Sequence, residues 1–132
     1  MILLDTHILI WDALSPEKMS KTAMEAIESE EAKNQLLIAD ISLWEIAMLI
    51  DKGRLSISAD AGTFIDALLK LRNYEVVPIN AEIAFKSIEL SKVIQSDPAD
   101  SLIAATSLVN NATLITADSK ILYSKVVKTL WK

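Results

Sequence analysis

Apolar residues run without interruption through Met1-Ile2-Leu3-Leu4 and stop at Asp5-Thr6. A run without polar alternation is the pattern of a strand covered on both faces, as in a parallel sheet packed between helices. Leu36-Leu37-Ile38-Ala39, ending at Asp40, repeats it, as does Ala112-Thr113-Leu114-Ile115-Thr116, followed by Asp118. Glu75-Val76-Val77-Pro78-Ile79 predicts a further strand, with Pro78 demanding an exposed position or an early stop. The segment Lys125 to Leu130 reads as a fifth strand, short and polar enough for an edge.

Between these runs the apolar spacing turns helical. Thr6 to Leu14 predicts a short helix, and Ser20 to Glu31 a second with Met24 and Ile27 inward. Ser42-Leu43-Trp44-Glu45 opens a third that stops at Lys52-Gly53; it is apolar nearly all round and so belongs inside the monomer or at an interface. Asp60 to Arg72 is amphipathic through Phe64, Ala67, Leu68 and Leu71. Asn80 caps a helix through Ile83, Ile88 and Leu90, and Asp97-Pro98-Ala99-Asp100 starts one that runs to about Val109. Strands alternating with helices imply crossover connections and a three-layer α/β/α domain with a mostly parallel sheet of four to five strands.

Composition narrows the picture. The 132 residues fit one domain over 1–132, and 52% hydrophobic content with 2 Gly and 3 Pro leaves no linker or low-complexity segment. With no Cys, thiolate catalysis and cysteine zinc sites are excluded, and a reducing compartment is comfortable. The apolar start lacks a basic leader and is broken by Asp5, His7 and Asp12, and no run is long enough to span a bilayer, so a soluble cytoplasmic protein is expected. The net charge of −5 argues against a protein that coats nucleic acid. It leaves room for an enzyme that meets nucleic acid through metal ions, because carboxylates gathered around cations make such a chain acidic.

The candidate chemistry lies in four acids. Asp5 and Asp118 follow the ends of apolar strands, the edge where open α/β sheets bind ligands, while Glu45 and Asp100 fall in first helical turns. Brought together, they would repel one another unless hard divalent cations such as Mg²⁺ or Mn²⁺ intervened. Such a site activates water and stabilises a phosphodiester undergoing displacement.

Each acid also has a plain structural reading. Ser42 with Glu45 matches a capping box, Asp97 with Asp100 matches an N-cap and an acid near the positive helix end, and Asp118 suits a turn before Lys120. Asp12, Asp40 and Asp51 read as loop or surface acids, and Lys52, Arg54, Arg72 and Lys120 as solvated charges. His7 reads as a helix-start residue, and Trp11 and Trp44 as core or interface anchors.

Taken together, Leu3-Leu4-Asp5-Thr6-His7, Ser42-Leu43-Trp44-Glu45-Ile46-Ala47, Asp97-Pro98-Ala99-Asp100 with Leu102-Ile103-Ala104-Ala105, and Leu114-Ile115-Thr116-Ala117-Asp118 resemble the PIN-domain family. Within it the chain is similar to the VapC-like toxin ribonucleases of bacterial toxin–antitoxin pairs. The resemblance covers essentially the whole chain. It implies a Mg²⁺- or Mn²⁺-dependent endoribonuclease whose acidic cluster is Asp5, Glu45, Asp100 and Asp118, with Thr116 as a supporting hydroxyl. It further implies a central first strand, a homodimer, an RNA substrate and an antitoxin partner in the active-site groove. The chain departs from the pattern at Ser101, where this subgroup usually carries Arg; the change removes a charge available to phosphate or to the cluster. Two other readings share the layout: a receiver-like phosphoacceptor module, and a PIN-like domain that binds RNA or protein without cutting.

Overall fold

The computed structural model describes residues 1–132. Five strands, β1 (Ile2–Leu4), β2 (Leu36–Ala39), β3 (Glu75–Val77), β4 (Thr113–Ile115) and β5 (Thr129–Leu130), form one sheet in the order β3-β2-β1-β4-β5. Every neighbouring pair is parallel, and β1 lies at the centre, with Leu3 opposite Leu37 on one side and Leu114 on the other. This order separates the fold from the receiver-like arrangement, in which the third strand lies on the opposite side of the first. The receiver reading therefore fails on topology.

Seven helices cover the sheet: α1 (Thr6–Leu14), α2 (Lys21–Ala32), α3 (Asp40–Asp51), α4 (Ala61–Leu69), α5 (Ala81–Ile94), α6 (Pro98–Val109) and α7 (Ser119–Ser124). Period-two alternation along each strand divides the core. Leu3, Leu37 and Leu114 face α5, α6 and α7 through Ile83, Ile103 and Ile121. Ile2, Leu4, Leu36, Ile38 and Ile115 face α1 to α4 through Ile8, Leu9, Ile27, Ile46 and Leu68. Strands buried on both sides are what the unbroken apolar runs require.

Several elements depart from expectation. Helix α3 begins at Asp40, directly after β2, so Ser42 sits inside its first turn and no capping box with Glu45 forms. It is only partly buried, and Trp44 is 57% exposed, so its apolar surface is not absorbed by the monomer. Helix α4 stops at Leu69, leaving Leu71 exposed beyond it, and Ile88 on α5 faces solvent. The turn expected at Asp118 continues into the short helix α7. Pro78 lies just past β3, consistent with its early stop, and Gly53 ends α3 with a φ of 70°, the left-handed conformation glycine adopts freely.

The expectation that Asp12 and Arg72 are solvated is wrong. The Arg72 guanidinium donates to both Asp12 oxygens, at 2.6 and 3.0 Å, and to Glu31 at 2.9 Å. The Asp12 side chain is only 5% exposed and that of Arg72 17%. These bonds tie α1 and α2 to the segment that enters β3.

Candidate active site

Asp5 is the hinge between strand and helix. Its N–H donates to the Ile115 carbonyl of β4, and its carboxylate then caps α1 by accepting from the Thr6 N–H at 2.8 Å. The second oxygen accepts from the Thr116 hydroxyl at 2.7 Å, and Thr116 in turn accepts from the Asp118 N–H at 3.1 Å. One buried threonine thus sets both the Asp5 carboxylate and the backbone carrying Asp118. The Asp118 carboxylate caps α7 through the Lys120 N–H, as the turn reading expected.

Glu45 lies in the second turn of α3 and accepts a short hydrogen bond from the Thr6 hydroxyl, which also bonds Ser42 at 2.9 Å. Because no capping box exists, this carboxylate is not consumed by its own helix and turns instead toward Thr6. Asp97 caps α6 by accepting from the Asp100 N–H at 3.0 Å, which leaves the Asp100 carboxylate uncommitted.

The carboxylates converge. Asp5, Glu45, Asp97, Asp100 and Asp118 line one pocket of about 290 Å³, together with His7, Trp11 and Ala117. Carboxylate oxygens of Glu45, Asp97 and Asp100 lie within 4.8 Å of one another. Sequence reasoning had seen Asp97 only as a cap. The usable signal was the pair of acids three residues apart at one helix start, which the fold points the same way.

Crowding shows in the ionisation. Burial raises the Asp5 pKa above its ordinary range, against the lowering effect of the Thr116 and Thr6 bonds. Burial also raises that of Glu45, with Asp5 and Asp97 adding to it. Asp100 is pushed up to about 7, by burial first and then by Asp97, Asp5, Asp118 and Glu45. No Lys or Arg lines the pocket, so no fixed positive charge of the chain's own balances this field. An all-oxygen donor set in that state fits a divalent metal.

These pKa values make a prediction for the metal-free protein. A carboxyl whose folded pKa is raised binds its proton more tightly folded than unfolded, so stability falls as pH rises from the ordinary carboxylate value through the folded one. Melting temperature without metal should therefore drop between about pH 5 and about pH 8 by several degrees. Asp100→Asn should flatten that slope, and a divalent cation should raise the melting temperature far more at the upper end. A metal-independent, flat profile in wild type would contradict the crowding.

Beside the acids runs an apolar groove of about 460 Å³, sharing Glu45 and Asp97 and lined by Ile41, Trp44, Met48, Pro98, Ala99 and Leu102. Ser101 is 1% exposed with its hydroxyl unpartnered, and it lines neither concavity.

The sequence profile of the PIN domain matches residues 2–127. The chain belongs to the PIN-domain family. Among relatives of this PIN domain, Ribonuclease VapC22 of Mycobacterium tuberculosis is 29% identical over 120 residues, spanning 91% of this chain and 88% of that protein. Solved structures share the fold. VapBC2 from Rickettsia felis, bound to a DNA fragment from its promoter, aligns over 100% of both chains with a TM-score of 0.75 at 22% identity. DNA-bound VapBC from Salmonella typhimurium aligns over 98% of both with a TM-score of 0.73 at 14% identity. The PIN fold, the central first strand and the α/β/α layering expected from sequence are all present. No helix is long and apolar enough to cross a membrane.

Proposed function

We propose that this protein is a metal-dependent endoribonuclease, the toxin of a toxin–antitoxin pair, acting in the cytoplasm as one domain over residues 1–132. The observation that carries the reading is the convergence of Asp5, Glu45, Asp100 and Asp118 on one pocket in a PIN-family chain related to Ribonuclease VapC22. Asp5, Asp100, Glu45 and Asp118 are the assigned metal-holding and catalytic residues, and Asp97 joins them on the outer side. Mg²⁺ or Mn²⁺ suits hard carboxylate oxygens best. Bound there, such an ion supplies water activation and neutralises charge developing on a scissile phosphodiester.

The chain's own part is positioning. Thr116 holds one Asp5 oxygen and Thr6 directs Glu45, so two carboxylates are oriented by hydroxyls that carry no competing charge. The buried pocket floor, with Asp5 only 5% exposed, limits water to what the open side admits. The decisive experiment incubates partner-free protein with mixed cellular RNA in Mg²⁺, in Mn²⁺ and in chelator. Cleavage that chelator stops and added metal restores supports the reading; RNA left intact in every condition rejects it.

Partners follow from the same family placement. Structural neighbours include a toxin-antitoxin complex from Klebsiella pneumoniae, at a TM-score of 0.68. We assign the apolar groove beside the acids to an antitoxin segment, and the surfaces of α3 and α4 outside that groove to homodimer contact. Trp44, an exposed aromatic in that groove, is the anchor expected to matter most. Trp44→Ala should weaken antitoxin binding by about 30-fold or more, measured by calorimetry, while leaving RNA cleavage intact. Unchanged antitoxin affinity would move the antitoxin to another surface.

A further inference from the structure

The acid pocket has one wall that is neither acidic nor aliphatic. His7 and Trp11 stand one helical turn apart on α1, the i and i+4 positions of one face, and both line the pocket that holds the carboxylates. Their rings meet edge to face, 6.3 Å apart at 64°. His7 is exposed, while its neighbours Thr6, Ile8, Leu9 and Ile10 are buried.

The wall is braced from behind. Trp11 packs on Trp131 with centroids 5.9 Å apart, and both indoles rest against the core on that side of the sheet. The Ser20 hydroxyl, capping α2, also donates to the Trp131 carbonyl. Lys18 places its ammonium 5.8 Å from the Trp11 ring centre. An indole serving only as a core anchor has no reason to border a carboxylate cluster, and a freely solvated histidine has no reason to be propped by one.

We propose that His7, supported by Trp11, is a stacking surface for a nucleobase of single-stranded RNA next to the scissile phosphate. The proposal rests on the ribonuclease reading of the pocket. Its logic is a division of the substrate: five carboxylates repel phosphate wherever no cation sits, whereas a planar base carries no charge and meets an aromatic ring face favourably. A base inside a duplex is already stacked, so the wall selects unpaired RNA.

The test is a cycle between protein and substrate. Wild type, His7→Ala, His7→Phe and His7→Lys are compared on a short single-stranded RNA with one cut site, with and without an abasic nucleotide beside the cut. Stacking predicts that His7→Ala raises KM about tenfold with kcat within about twofold, and that His7→Phe restores KM. The abasic RNA should cost wild type a similar factor and cost His7→Ala little more. His7 is exposed, so these variants should melt with wild type.

Equal KM for His7→Ala and wild type overturns the proposal, as do fully multiplying effects of the His7 and abasic changes. Rescue by His7→Lys but not by His7→Phe overturns it in favour of a phosphate contact. In each of these cases cleavage itself persists, and the ribonuclease reading stands. If wild type cuts no RNA with metal present, that reading fails and takes the stacking assignment with it.

Discussion

Asp100→Asn should abolish metal-dependent RNA cleavage, by at least about a hundredfold, without lowering the stability of the fold. Loss of groups that merely orient metal ligands costs roughly 10- to 100-fold, and loss of a ligand should cost at least as much. The variant is unusually clean because the structural duty of this residue is carried by its backbone: the Asp100 N–H bonds Asp97, and the carboxylate bonds nothing in the protein. Its pKa of about 7, driven by burial and four neighbouring acids, means that removing the charge also relieves repulsion. The metal-free variant should therefore melt at or above wild type near pH 8, by the linkage argument given for the pocket.

Asp5→Asn should lose activity as fully but less cleanly. The Asp5 carboxylate accepts from both Thr6 and Thr116, and an asparagine can accept at only one of those places. A stability cost of about 1 kcal/mol is expected from the lost bond. Single-turnover cleavage with parallel thermal melts separates the cases. If Asp100→Asn cuts RNA like wild type, Asp100 is not a metal ligand and its assignment to the catalytic cluster falls.

Arg72→Ala should be strongly destabilising, at about 3 kcal/mol or more. Truncation leaves Asp12, nearly without access to water, as an uncompensated buried charge, and leaves Glu31 only its bond from the Asn73 N–H. For a domain of this size that corresponds to a fall in melting temperature of about 10 °C. The companion variant Asp12→Leu with Arg72→Met removes both charges together and should recover much of the loss, since replacing a buried pair by apolar groups is far milder than breaking it. Urea unfolding of the two proteins checks this. A loss below about 1 kcal/mol for Arg72→Ala would mean the pair behaves like an exposed salt bridge.

The reach of sequence reading differed between these residues for identifiable reasons. Asp5 was legible because its cue is local: an unbroken apolar run ending in an acid describes a central strand and its carboxyl edge at once. The cap at Asp97 was legible for the same reason, since Asp-Pro followed by an acid is a helix start within four residues. Glu45 was misread structurally because Ser-Leu-Trp-Glu satisfies a capping-box pattern wherever it occurs. The helix had already begun at Asp40, so the serine that should have capped it sits inside the first turn, bonded to Thr6.

Chain order and side-chain period thus settled the layers, the parallel sheet and the rim on which the acids stand, because strand burial and helix caps are properties of short stretches. Which acids meet was a different question. Asp97 joins Glu45 and Asp100, and Asp12 disappears beneath Arg72, through contacts between residues dozens of positions apart. Such contacts depend on how helices seat against the sheet, and side-chain burial is set by those distant neighbours. The same packing leaves Trp44 exposed and brings Trp11 to the acid pocket, although both indoles look alike along the chain.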